Sequence, residues 1–297
     1  MELRQIAGVD FLVFEGSSLS PEAWEAVCAH SSICFAALVE GELLRPLALR
    51  SSAFFPAELA QILKYKGKTN PDFTGMMLHC ARSASRFALQ REPLTVLDPL
   101  CGRGTTLLCA LSEGYNTVGI ELDSKAIAET DAFLTRYLQH EKRKYKREAL
   151  SRTLRTGGNI SQIRYTVSDC AEHYKQGEVR SLSVLKGDSA LADEMIGSSS
   201  CHLIVGDLPY GVQHAPKEGK RLTGLEALLE RTLPAYYRAL KPGGAIALAF
   251  NVYTLSRRAV TEQMTRTGFT VLDQEPYQDF EHWVEQAVNR DMVVALR

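Results

Sequence analysis

The sequence predicts an α/β protein: a seven-stranded, mostly parallel sheet wound by helices on both faces, with a small α+β unit ahead of it. Three observations carry this expectation. From residue 93 onward, short and nearly continuous apolar runs alternate with segments of helical period, as in parallel strands buried on both faces and joined by helices. The first four of these runs each finish at an acid, so polar residues collect at strand ends. The first 60 residues instead mix short alternating runs with one helix-like stretch.

Bulk composition narrows the class. The 297 residues are 45% hydrophobic and 23% charged, as in a globular chain with a real core, and a formal net charge of -1 leaves no global basic field. A nucleic-acid partner would have to be held by a local patch. No window approaches the ~18 consecutive apolar residues of a membrane span. The opening MELRQIAGVDFLVFEG lacks the basic flank, apolar centre and cleavage site of a secretory signal. Seven cysteines, at 28, 34, 80, 101, 109, 170 and 201, form no C-x-x-C pair, which fits reduced thiols, a cytoplasmic setting and no metal.

Taken in order, FLVFEG (11–16) reads as a strand, SPEAWEAVCAH (20–30) as a helix opened by a serine cap, and ICFAALVEGELLRPLALR (33–50) as a hairpin. These make an N-terminal unit over 1–65, short for a complete RNA-binding module and open to reading as a reduced substrate-binding or dimerisation element. Next, Lys64, Lys66 and Lys68 form a basic stretch, Asn70-Pro71 breaks the pattern, and Phe73, Met76, Met77, Cys80, Ala81 and Ala84 recur at helical spacing. The main domain, 66–297, then offers strands at 94–100, 116–123, 181–188, 201–210, 244–251, 269–275 and 286–297.

Ligands of such sheets bind beyond the carboxyl ends of the strands, so four termini matter most. The first continues into DPLCGRGTT (98–106), an acid followed by a glycine-rich turn into a helix. Glycines there let the backbone approach a ligand, and the helix start presents free N–H groups. No Lys follows Gly104, so the turn is not a nucleoside-triphosphate loop. The second strand ends at Glu121, where an acid suits both hydroxyls of a ribose, and the third at Asp188-Ser189, where an acid suits an adenine amino group. The fourth ends in Asp207-Leu208-Pro209-Tyr210-Gly211.

LDPLCGRGTT and GDLPYG together resemble the class I S-adenosylmethionine-dependent methyltransferases, in the branch that methylates amino groups through a [D/N/S]-P-P-[Y/F/W] motif. GKTNPDFT ahead of the domain and VEQAVNRDMVVAL at its end make residues 66–297 similar to bacterial relatives of the tRNA guanine-N2 methyltransferases, which in other members carry a THUMP domain. The resemblance implies a Rossmann-like fold. It places Asp98, Cys101, Gly102, Gly104 and Thr105 around the methionine part of S-adenosylmethionine, Glu121 at the ribose, and Asp188 and Ser189 at the adenine. Asn70 and Thr74 would line the methionine end.

In that reading Asp207 and the carbonyl of Leu208 accept the two N–H groups of an exocyclic amine, Pro209 fixes the turn, and Tyr210 stacks on the base. Leu208 stands where family members often have Pro, which leaves the backbone oxygen in place but removes a ring. The expected reaction yields S-adenosylhomocysteine and a methylated nucleobase, most simply guanine N2 in tRNA. A DNA adenine-N6 or cytosine-N4 methyltransferase uses the same tetrapeptide logic, and a non-catalytic RNA-binding module would keep the fold without the chemistry.

Between the second and third strands lies an insertion over 139–180. Its start, EKRKYKREALSRTLR (141–155), holds seven Lys/Arg against two Glu. Such a run is usually a solvated helix face; beside a nucleobase pocket, Lys142, Arg143, Lys144, Lys146 and Arg147 become candidates for phosphate contact.

Overall fold

The structure is a computed structural model and describes residues 1–16, 19–28, 33–49, 53–65, 67–209, 217–218, 221–222 and 224–297. The chain divides into two compact units, Met1–Ala53 and Phe54–Arg297.

In the first unit, β1 (Glu2–Ile6) and β2 (Val9–Val13) form an antiparallel hairpin. Its two-residue turn puts both Ala7 and Gly8 at positive φ (51° and 80°), the geometry that matches strand twist. Helix α1 (Pro21–Cys28) opens with proline at its first position, where no N–H is needed, and β3 (Ala37–Glu40) pairs antiparallel with β4 (Leu43–Pro46). The hairpin expected over 33–50 is thus formed, whereas β1 is an additional strand that pairs with the one expected near residue 11.

The second unit starts with α2 (Leu59–Ile62) and α3 (Pro71–Ala84), followed by β5 (Thr95–Asp98), α4 (Thr105–Ser112), β6 (Asn116–Glu121) and α5 (Ser124–His140). A hairpin of β7 (Tyr145–Thr153) and β8 (Asn159–Val167) leads through α6 (Ala171–Gln176) to β9 (Arg180–Lys186). Then come α7 (Ala192–Ile196), β10 (Cys201–Asp207), the two-residue strands β11 (Lys217–Glu218) and β12 (Arg221–Leu222), and α8 (Leu225–Ala239). The unit closes with β13 (Leu240–Asn251), α9 (Arg257–Thr267), β14 (Thr270–Leu272), β15 (His282–Glu285) and β16 (Val288–Leu296).

One ten-stranded sheet organises this unit, in the order β14-β16-β13-β10-β5-β6-β9-β8-β7, with β15 on β16. The five strands from β13 to β9 are parallel, and the pairs beyond them are antiparallel. The expected α/β doubly wound architecture is present, with ten strands in place of seven. The difference lies chiefly in the insertion: Tyr145–Thr153 is an edge strand rather than a helix, paired residue for residue with β8. The two-residue period of side chains along it outweighs the charge density of the sequence.

Two apolar layers flank the sheet. Leu203 and Val205 of β10, with Ala245, Ala247 and Ala249 of β13, meet α3 and α4 residues such as Met77, Leu78, Leu107 and Leu108. Ile204, Ile246, Leu248 and Phe250 point the other way, onto Leu229, Leu233 and Tyr236 of α8 and Val260 and Met264 of α9. From Leu203 to Val205 and from Ala245 to Phe250 each residue is therefore committed to one layer or the other, which is why these stretches read as continuous apolar runs. Among the described residues, no helix is long and apolar enough to cross a membrane.

Candidate functional site

β5 and β10 lie side by side at the sheet centre, and the chain continues outward from β5 through β6 to β9 and from β10 to β13. The carboxyl ends of β5 and β10 therefore flank the switch point, where connections diverge and leave a crevice. Asp98 ends one strand and Asp207 the other.

Asp98 is 3% exposed. Burial pushes its carboxyl up to about 7, against hydrogen bonds from Thr106 and the Leu100 N–H, and the nearby Asp207 and Glu121 carboxylates add to the rise. Its Oδ1 accepts the Leu100 N–H at 3.1 Å, which turns the chain into the glycine loop. In that loop Gly102 and Gly104 sit at φ 49° and 81°, left-handed conformations that glycine adopts without strain. A Cβ on Gly102 would meet nothing within 4 Å, so the space over the loop is open, whereas Gly104 directly caps α4. Cys101 points inward; burial pushes its thiol well above the usual range. It packs on Gly119 of β6, where an added Cβ would come within 2.5 Å of the Cys101 Sγ.

Glu121, at the end of β6, ties the neighbouring segments together. Its Oε2 accepts the Gly102 N–H at 2.8 Å and its Oε1 the Asp123 N–H at 2.7 Å. Asp188 follows β9 and caps a short 3-10 turn by accepting the Ala190 N–H at 2.9 Å, while its other oxygen holds the Arg231 guanidinium. Ser189 beside it is buried.

The Asp207 carboxylate is half-buried and accepts a hydrogen bond from the Thr69 hydroxyl. Leu208 is 2% exposed, and its N–H donates to the Ala249 carbonyl at 2.9 Å, prolonging the β10–β13 ladder past the last strand residue. Pro209 is half-buried, and Tyr210 falls outside the described residues, as does Lys66.

Asn70 caps α3 by accepting the Asp72 N–H at 2.8 Å, and the buried Thr74 donates its hydroxyl to the Asn70 carbonyl at 3.1 Å, so both shape the first turn of α3. Two residues not expected from the sequence join the crevice. Thr69 holds Asp207, and Tyr65 places its hydroxyl 2.8 Å from that of Thr105 while the Arg103 guanidinium covers its ring at 4.8 Å. Both come from the irregular segment before α3, which carries no periodic signal.

The basic run is arranged differently from its expected place beside the crevice. Tyr145 is level with Val167, and Val167 with Arg180 at the amino end of β9, so Lys142, Arg143, Lys144, Lys146 and Arg147 sit at the sheet end opposite Asp207. Arg147 is held in a bidentate pair with Asp131 (2.7 and 2.8 Å), Lys146 pairs with Glu148 at 2.8 Å, and Arg143 covers the Phe55 ring. Lys142 and Lys144 are exposed. Among the described residues one trio of metal-ligand type, Asp169, Cys170 and His173, brings its ligand atoms within 4.8 Å of one another. It too lies at the amino end of β9, and the 2.8 Å Asp169–His173 ion pair accounts for the proximity.

Comparison with known proteins assigns the family. The model of the UPF0020 family, described as RMKL-like, methyltransferase domain, matches residues 74–271, more than half of the chain. No curated protein sequence matches. Among solved structures, a TehB-like SAM-dependent methyltransferase from Corynebacterium glutamicum is 16% identical, over 75% of this chain and 86% of that one, with a TM-score of 0.43. TrmN from Thermus thermophilus is 18% identical, over 86% of this chain and 55% of that one, with a TM-score of 0.44. The family match falls on the glycine loop and all four acid-bearing strand ends: the chain belongs to the UPF0020 family, RMKL-like methyltransferase domain, and is a class I S-adenosylmethionine-dependent methyltransferase.

Proposed function

We propose that this methyltransferase acts on an exocyclic amino group of a nucleobase, guanine N2 in tRNA. The observation that carries the reading is Asp207, whose half-buried carboxylate ends β10 at the switch point, within electrostatic reach of Asp98 and steadied by Thr69.

The crevice suits S-adenosylmethionine by the chemistry of its groups. Burial, with smaller contributions from the Asp207 and Glu121 carboxylates, raises the Asp98 pKa, and a ligand carrying positive charge beside it relieves part of that cost. In this reading Asp98 and the Gly102–Gly104 loop hold the methionine end, Glu121 the ribose hydroxyls, and Asp188 with Ser189 the adenine. The Arg231 pair at Asp188 would share that carboxylate with the base. When bound, S-adenosylmethionine supplies an electrophilic methyl group and leaves as S-adenosylhomocysteine.

An exocyclic amine is a weak nucleophile because its lone pair is delocalised into the ring. Two acceptors, the Asp207 carboxylate and the Leu208 carbonyl, draw its N–H groups to one side and turn the lone pair outward. Asp207 then stabilises the positive charge that develops on nitrogen, a role in which preorganised charge is worth most. Positioning supplies much of the remaining acceleration. The two acceptors are held for this: the Thr69 hydroxyl donates to the Asp207 carboxylate, and the Leu208 N–H donates to the Ala249 carbonyl.

The test is transfer from S-adenosylmethionine to unmodified tRNA, followed by nucleoside digestion and mass spectrometry. N2-methylguanosine is expected. Asp207→Ala should lower the rate by roughly a factor of 1,000 while leaving cofactor affinity within about threefold. Transfer by that variant at the wild-type rate, or product found as methylated adenine or cytosine in DNA, overturns the reading.

A further inference from the structure

The hairpin β7–β8 widens the sheet beyond the helices that would cover it. On one face, Tyr165, Val167, Leu182 and Val184 pack beneath α5 residues such as Phe133, Leu134 and Leu138. The other face alternates with them as Gln162, Arg164 and Thr166 on β8 and Ser181 and Ser183 on β9. The five-residue helix α7 reaches only one end of that face, through Met195 and Ile196. What remains is a concave cavity of about 380 Å³, lined by the side chains of Arg152 and Arg164 together with Asn116, Gln162 and Ser183, and no acidic side chain lines it.

Arg152 and Arg164 share this face and lack carboxylate partners, whereas Arg180 alternates onto the α5 face, where its guanidinium covers the Phe54 ring. Arg152 donates to the Glu194 carbonyl at 3.4 Å. Arg164 is exposed, and Glu148 opposite it in the ladder is paired with Lys146 instead. No ion pair found among the described residues includes either of the two. They follow one another along the strands: Arg164 is level with Ser183, and Arg152, level with Ile160, lies just past the Ser161–Lys186 pair at the carboxyl end. At ~3.3 Å per residue they are spaced roughly 13 Å apart.

We infer that this arginine-bearing sheet face is a docking track for the phosphate backbone of the RNA substrate, leading from the middle of β9 toward the crevice. The inference rests on the nucleic-acid reading of the active site. Charge complementarity selects the occupant: two guanidiniums outside any ion pair, interleaved with amide and hydroxyl groups, match spaced phosphodiesters and sugar hydroxyls. The reach is suitable. β8 is four strands from β10, so at ~4.8 Å per strand the track lies about 20 Å from Asp207, a span a few nucleotides of RNA can cover. A base held at Asp207 leaves flanking phosphates at that distance.

The test is tRNA affinity by fluorescence anisotropy as a function of salt, with Arg152→Glu/Arg164→Glu compared against Arg266→Glu, a charge reversal on α9 at the far side of the sheet. The double variant should bind tRNA at least about tenfold more weakly, with a salt slope smaller by about two, while S-adenosylmethionine affinity and rate at saturating tRNA stay unchanged. Arg152→Lys/Arg164→Lys, which keeps both charges, should restore most of the binding and guards against a folding defect. If the double variant binds like Arg266→Glu, the track is refuted, whether or not tRNA is methylated. If the wild type binds tRNA through these arginines yet transfers no methyl group, the catalytic proposal falls and the track stands.

Discussion

Asp98 gives the sharpest quantitative prediction. Its carboxyl has a pKa of about 7 in the ligand-free protein, so at pH 6 about ten molecules in eleven carry the proton. A cationic ligand binds the ionised form, so binding must expel that proton. Between pH 7.5 and pH 6 the dissociation constant for S-adenosylmethionine should rise about eightfold, with ~0.9 proton released per ligand at pH 6. Isothermal titration calorimetry in buffers of different ionisation enthalpy reads both quantities. Asp98→Asn should bind more weakly overall, with the pH slope from this group gone. The sign for stability is fixed by the same shift: the folded pKa lies above the unfolded one near 4, so the contribution is fully present below pH 4 and is lost as pH rises through 7. Ligand-free Asp98→Asn should accordingly be the more stable protein at pH 8, by up to roughly 4 kcal/mol. A wild-type affinity constant within twofold over pH 6–7.5, or an asparagine variant with the wild-type slope, would refute the argument.

Two further outcomes concern the frame around the crevice. Gly119→Ala brings a methyl group within 2.5 Å of the Cys101 Sγ and 2.7 Å of the Leu107 Cδ1, and should cost about 1–3 kcal/mol in thermal or denaturant unfolding; an unchanged midpoint would show that the loop yields freely. His202, whose Nδ1 accepts the Thr95 N–H at 2.9 Å, is pushed down to about 4 by burial and by Lys241. Its stabilising contribution is present above pH 6.5 and fades as pH falls toward 4, so about 2 kcal/mol should be gone at pH 5, and His202→Asn should show a flatter acid profile in urea unfolding.

How much of this was legible in the sequence depends on which interactions define each part. The strand ends at Asp98, Glu121, Asp188 and Asp207 were readable because two buried faces force apolar runs and leave acids only where the chain emerges. The glycine turn was readable because left-handed φ favours glycine. The basic insertion was not: Arg147 answers to Asp131, sixteen residues away, and the polar file of Gln162, Arg164, Ser181 and Ser183 exists only once β8 lies on β9. Thr69 and Tyr65 were hidden for a related reason, since their partners, Asp207 and Thr105, are 138 and 40 residues distant and the segment between α2 and α3 has no period to betray them.

Leucine at position 208 changes how the acceptor loop is restrained. A prolyl ring stiffens a peptide wherever the chain goes, but it offers no N–H; here the equivalent stiffness is borrowed from the adjoining strand, one rung beyond its formal end. Under the proposed mechanism, the aim of the Leu208 carbonyl is thereby made a property of β13 as well as of its own loop. Damage to the middle of that strand, far from any ligand atom, would surface as poor alignment of the incoming amine, and selection acting on the fit of the base would be felt in the packing of its alanines.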